Sequence, residues 1–190
     1  MFLGIDLQKA EHIAVKDNEG NILTYGKLAN EISELSAHVQ ARAVIFCLCK
    51  NTVGSLLGYL AFVEADAVPL MLSSKIDKGL LKKLLETYTP AYIWCPTEMK
   101  DSLEAECTEE RYGYSLLRTD AVFYPIHEQL QLLMTTSGST GSPKLVRYKK
   151  GNLEANAKNV AIAFGWTAEE RPVCDLGMQY TMGLNVINTH

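Results

Sequence analysis

The sequence predicts an α/β protein: a largely parallel sheet with helices on both faces. Between Ala43 and Cys95, short continuous apolar runs alternate with stretches of helical spacing, giving β-α-β-α-β. The runs carry apolar residues on both sides, as strands covered on both faces do. The composition, 47% apolar and 21% charged over 190 residues, is that of an ordinary globular chain. A chain of this length buries ~70% of its unfolded surface, enough for a substantial core.

The elements follow in order. His12–Val15 and Ile22–Tyr25 flank Asp17-Asn18-Glu19-Gly20 and read as a β-hairpin. Leu28, Ile32, Leu35 and Val39 form one apolar stripe of a helix. Ala43–Leu48 is a strand. Val53, Leu56, Leu57, Leu60 and Val63 mark a helix between Asn51 and Ala67, and Val68–Leu72 returns to strand character. Ile76, Leu80, Leu81, Leu84, Leu85 and Tyr88 give a third helix ended by Pro90, before the strand Tyr92–Cys95. Residues 96–110 are acidic and weakly patterned, a surface connection by this reading, with further short strands expected around Tyr112–Tyr124. Gln129–Thr135 is a strand leading into a polar segment, after which Leu145–Tyr148 resumes strand character. Leu153, Ala157, Val160, Ala161 and Phe164 mark a helix, Cys174–Leu176 a further strand, and His190 falls inside a last helix.

Charge and cysteine usage narrow the function classes. The sum of 18 basic and 22 acidic residues is −4, which supplies no basic field for nucleic-acid phosphates. The five cysteines are odd in number and irregular in spacing, against a disulfide framework. Cys47 and Cys49 face the same side of a strand, but no second Cys or His pair stands at zinc-like spacing, so they read as buried thiols. His12, His38, His127 and His190 are scattered without ligand spacing and read as structural or exposed. The opening Met-Phe-Leu-Gly-Ile meets Asp6 before it is long enough for a signal segment. The apolar stretch Val53–Val63 is about half a membrane span and is followed by Glu64 and Asp66. The cytoplasm is the expected compartment.

Thr136-Ser137-Gly138-Ser139-Thr140-Gly141-Ser142-Pro143-Lys144 carries the chemistry. Glycines let the backbone approach a ligand closely, and successive N–H groups then bind an anion in one concavity. Hydroxyls add donors, and Lys144 adds a point charge suited to phosphate. These parts describe a polyphosphate cradle. A Walker A loop is excluded, because Pro143 precedes Lys144 and Leu145 follows it. A nucleophile elbow is excluded, because Gly138 stands directly before Ser139. A flexible surface loop is the plainer alternative, which the flanking apolar strands disfavour.

The nine residues Thr136–Lys144 resemble the phosphate-loop signature of the AMP-forming adenylate-forming enzymes: acyl-CoA synthetases, luciferases and the adenylation domains of peptide synthetases. Leu23-Thr24-Tyr25-Gly26-Lys27-Leu28 resembles the family's early segment, with Lys27 where Glu is usual. Leu60–Leu70 resembles the next, with Asp66 where glycine is usual. Gly177-Met178-Gln179-Tyr180-Thr181-Met182-Gly183 resembles the segment after the phosphate loop, with Gly177 in place of Pro and Tyr180 where a His or another aromatic is common. Leu145 replaces a usual glycine.

The resemblance implies the N-terminal part of a large AMP-binding domain, residues 1–190, without the adenine and ribose contacts, the hinge or the C-terminal domain with its catalytic lysine. No catalytic residue and no metal ligand is therefore assigned within the chain. It further implies a reaction of ATP, with magnesium, and a carboxylic acid to give an acyl-adenylate, followed by transfer to coenzyme A or a phosphopantetheine carrier. Thr136, Ser137, Gly138, Ser139, Thr140, Gly141 and Lys144 would hold the phosphates, and Tyr180 would stand near the carboxylate pocket; the plainer reading of Tyr180 is a core or helix-start residue. Asp175 reads as a surface or capping carboxylate. By itself the chain is expected to be inactive, completed by a C-terminal portion or assembled as a homo-oligomer. The alternative classes are a non-catalytic nucleotide-binding or protein-interaction module, and a domain that binds nothing.

Overall fold

The computed structural model describes residues 1–135 and 144–190. The hairpin forms as β1 (Ile13–Lys16) and β2 (Ile22–Thr24), an antiparallel pair separate from the main sheet. Asp17 organises its turn: Oδ1 accepts from the N–H of Glu19 (3.0 Å) and Asn21 (2.9 Å), and Oδ2 from Asn21 Nδ2 (2.9 Å). Helix α1 (Tyr25–Ser36) follows at once, capped by Thr24, whose hydroxyl accepts from the Lys27 N–H at 3.3 Å. Leu28, Ile32 and Leu35 of the predicted stripe are buried.

Next come β3 (Val44–Cys49), α2 (Val53–Glu64), β4 (Val68–Ser73), α3 (Lys78–Tyr88) and β5 (Tyr92–Pro96). Strand β3 pairs in parallel with both β4 and β5. The chain thus steps outward through α2 and returns across β3 through α3. Alternation along β3 feeds two cores: Ile45, Cys47 and Cys49 pack on the side of α1 and α2, whereas Val44, Phe46 and Leu48 pack with Leu81 and Leu84 of α3. Both faces are covered, as the continuous apolar runs require.

Beyond β5 lie β6 (Glu106–Arg111), β7 (Tyr114–Arg118), β8 (Leu130–Thr135) and β9 (Leu145–Lys149). The seven strands run β6-β7-β5-β3-β4-β8-β9. The centre, β5-β3-β4-β8, is parallel, and an antiparallel hairpin-like addition closes each edge. Helices α4 (Asn152–Phe164) and α5 (Thr181–Thr189) complete the chain and set Leu153 and Leu184 in the same core as α2.

Three expectations are corrected. Residues 96–110 are more than a connection, because β6 begins at Glu106. As an edge strand paired only with β7, it needs no apolar face, and so left no pattern to read. Its turn is signalled by Tyr112 (φ 47°) and Gly113 (φ 72°), the two positive φ angles of a tight type I′ hairpin. Strand character ends at Arg118, and the residues up to Tyr124 are irregular. Cys174–Leu176 is not a strand; its carbonyls are bound by a side chain instead.

Cys47, Cys49 and Cys95 are buried, Cys107 is exposed and Cys174 is half-buried, all as free thiols. Among the described residues no three His, Cys, Asp or Glu side chains gather as a metal set, and no helix is long and apolar enough to cross a membrane.

Candidate functional site

Strand β8 runs parallel to β4, so Thr135 ends at the same edge of the sheet as Cys49 and Ser73. Thr135 pairs with Leu145, and the glycine- and hydroxyl-rich segment joins these two residues. The connections leaving β3 and β4 pass to opposite faces of the sheet through α2 and α3. A crevice opens at the carboxyl ends of parallel strands at such a reversal, and it is where ligands bind in open α/β sheets. Thr136, Ser137, Gly138, Ser139, Thr140 and Gly141 lie outside the described residues. Lys144 is described: it is exposed and stands immediately before β9, at this same edge.

Around that edge, the end of β3 is anchored to the far side of the sheet. The Lys50 N–H donates to the Tyr114 hydroxyl at 2.9 Å, and that hydroxyl donates to the Leu48 carbonyl at 3.1 Å. Burial pushes the Tyr114 phenol up from its ordinary value. The Lys50 ammonium pairs with Glu98, and this bond holds the Glu98 carboxyl below its usual range.

Asn51 reaches the other way. Its Nδ2 donates to the carbonyls of Cys174 (2.9 Å) and Leu176 (2.8 Å), and its Oδ1 accepts from the Met178 N–H (3.1 Å). Sequence reasoning missed Asn51, because its partners are more than 120 positions away. Met178 is buried, with Sδ accepting from the Ser55 hydroxyl at 3.0 Å. The segment leads to Tyr180, which stands at the start of α5 with its side chain 57% exposed. Tyr180 is therefore a helix-start residue open to solvent rather than a core residue. Asp175 is exposed, as expected.

Thr181, beside Tyr180, lines a cavity of about 390 Å³ between β8, β9, α4 and α5. Met134, Leu153 and Leu184 supply apolar walls; Tyr148, Asn152, Asn156, Asn159 and Asn185 supply polar ones. The Tyr148 and Thr181 hydroxyls stand 3.5 Å apart, and Asn156 Nδ2 donates to Asn185 Oδ1 at 2.8 Å. Tyr148 lies four residues beyond Lys144, about 13 Å along an extended chain. A cationic residue and a polar cavity thus flank β9.

The sequence profile of AMP-binding enzymes matches residues 6–189. The 2-succinylbenzoate–CoA ligase of Haemophilus influenzae is 22% identical over 183 residues, which span 94% of this chain and 38% of that protein. The hybrid PKS-NRPS synthetase lepA of Aspergillus flavus is 27% identical over 150 residues, 71% of this chain and 4% of that protein. ATP-bound MatB from Rhodopseudomonas palustris superposes with a TM-score of 0.79 at 19% identity, over 100% of this chain and 43% of that chain. The o-succinylbenzoate CoA synthetase MenE from Bacillus subtilis, in complex with its acyl-adenylate intermediate, superposes with a TM-score of 0.73 at 20% identity, over 98% of this chain and 40% of that chain. At these identities the structural likeness is one of fold, and the chain spans less than half the length of each of these relatives. With the profile covering nearly every residue, the chain belongs to the AMP-binding enzyme family.

Proposed function

We propose that residues 1–190 form the N-terminal portion of an AMP-forming carboxylate ligase, cytoplasmic, whose activity requires a further portion of polypeptide. The observation that carries this reading is that β8 ends at Thr135 and β9 begins at Leu145 at the carboxyl edge of the parallel strands, in a chain of this family whose intervening sequence is Thr136–Lys144. In the reaction a carboxylate oxygen of the acid attacks the α-phosphorus of ATP, the bond to the bridging oxygen breaks, and pyrophosphate leaves with that electron pair. The protein's part in such a displacement is to position groups and stabilise charge.

Backbone N–H groups and hydroxyls of Thr136, Ser137, Gly138, Ser139, Thr140 and Gly141 bind the β- and γ-phosphates, and Lys144 neutralises the departing pyrophosphate. Tyr180 borders the acid. Magnesium would enter with ATP and supply charge neutralisation at the phosphates. The acyl group then passes to the thiol of coenzyme A or of a carrier phosphopantetheine.

Acid-dependent ATP–pyrophosphate exchange tests the reading, in a polypeptide that carries this chain and its downstream portion. Exchange with one class of acid is expected. Lys144→Ala and Ser139→Ala each lower kcat by about 100-fold or more while the unfolding midpoint stays within about 2 °C. Residues 1–190 alone give no exchange. Unchanged turnover in both variants overturns the phosphate role, and robust exchange by the isolated chain overturns the fragment reading.

A second reading, a protein-interaction module, is favoured by the exposure of Ile162 (69%), Phe164 (70%), Val173 (85%) and Met182 (62%). It predicts self-association or stable partner binding of the chain, and a monomeric sedimentation profile counts against it.

A further inference from the structure

We infer that Asn51 is a positioning residue for the acid side of the site: its amide fixes the backbone of residues 174–178 and, through it, the start of α5 where Tyr180 and Thr181 stand. This deepens the ligase reading and rests on it. Residues 171–180 form neither helix nor strand, so their backbone groups need partners from elsewhere. The Asn51 amide satisfies three of them, using both Nδ2 hydrogens for the carbonyls of Cys174 and Leu176 and Oδ1 for the Met178 N–H.

The N-cap of α2 is Thr52, and Asn51 stands one position before it. Asp17 Oδ2 accepts from the Val53 N–H at 2.9 Å, so the first turn of α2 takes its side-chain acceptor from the hairpin. The Asn51 amide turns to the later segment instead.

A second fastening lies one helical turn on, where Ser55 donates to the buried Met178 Sδ. The segment in turn supports α5. The Tyr180 N–H donates to the Gly177 carbonyl at 2.9 Å, and a Cβ at Gly183 would fall 2.3 Å from that same oxygen. The start of α5 therefore rests directly on the strip that Asn51 holds. Lys144 stands before β9, outside the residues that Asn51 bonds, so loosening the strip disturbs the acid more than ATP.

Asn51→Ala removes all three bonds. Asn51→Asp keeps the size and the acceptor but loses both donors and sets a carboxylate against two carbonyl oxygens. The experiment pairs amide hydrogen exchange with steady-state kinetics of the polypeptide carrying this chain. In both variants the amides of residues 174–183 exchange about tenfold faster or more, while those of residues 25–96 are unchanged. KM for the acid rises about tenfold, with KM for ATP within about twofold. Unchanged exchange over 174–183, faster exchange throughout the chain, or equal increases in both KM values overturns the assignment. If the unsubstituted protein lacks acid-dependent exchange of pyrophosphate, the ligase reading and the acid role fall together, while the amide-exchange comparison separately decides whether Asn51 holds the strip.

Discussion

Asp17 accepts four hydrogen bonds, from the backbone of Glu19, Asn21 and Val53 and from the Asn21 side chain. Burial pushes its carboxyl upward, but the bonds outweigh this and hold it below the ordinary value. Because the folded value is depressed, the contribution to stability is fully present above the unfolded carboxylate range, near about 4, and is lost as pH falls through the lower folded value. Asp17→Ala is expected to cost about 1–2 kcal/mol at pH 7, with the gap between the two proteins closing as the pH is lowered past about 4. Urea unfolding of both proteins at pH 7 and in acid measures it, and a gap that does not change with pH contradicts it. The sequence marks Asp17 as a turn residue from its immediate neighbours. Its reach to Val53 depends on how the hairpin sits on α2, and no local pattern carries that.

At the scale of elements, α2 decides how closely the first core packs. Nine of its twelve residues are buried, so it lies between the sheet and the outer layer instead of presenting one wet face. The spacing of Val53, Leu57 and Leu60 made the helix legible, but the second buried side, with Tyr59 and Phe62, comes from neighbours far along the chain. Gly54 and Gly58 allow the approach to β5: Trp94 Nε1 donates to the Gly54 carbonyl at 2.9 Å, and a Cβ on Gly58 would lie 2.2 Å from that nitrogen. Gly58→Ala gains up to about 1 kcal/mol of helix propensity but overpacks this contact. A net loss of about 1–2 kcal/mol is expected in urea unfolding, and a variant as stable as the parent contradicts the close approach. Strand β6 was illegible for the opposite reason: at an edge, with polar residues on most positions, its pairing with β7 leaves no hydrophobic signature.

Across the whole molecule, the parallel centre was readable because both faces of its strands are covered, and that coverage is written as unbroken apolar runs. The same burial sorts the thiols. Cys47, Cys49 and Cys95 lie in central strands, and burial pushes the last two up to about 12. A thiol-labelling course followed by mass spectrometry is expected to modify Cys107 first and half-buried Cys174 more slowly, with the other three reacting only on unfolding. Rapid labelling of Cys47 or Cys95 in the folded protein contradicts the layer order. The proposed phosphate segment Thr136–Lys144 is contiguous and so can be read from sequence, whereas the bonds of Asn51 and the cavity between α4 and α5 are assembled from distant residues and cannot.

In the proposed ligase a polyphosphate is held beside Lys144 at the carboxyl edge of β4 and β8. Amide hydrogen exchange of the polypeptide carrying this chain, with and without magnesium ATP, tests it directly. ATP-dependent protection is expected in peptides spanning residues 135–148, and its loss in Lys144→Ala. Protection that falls elsewhere, or that persists unchanged without the Lys144 ammonium, contradicts it.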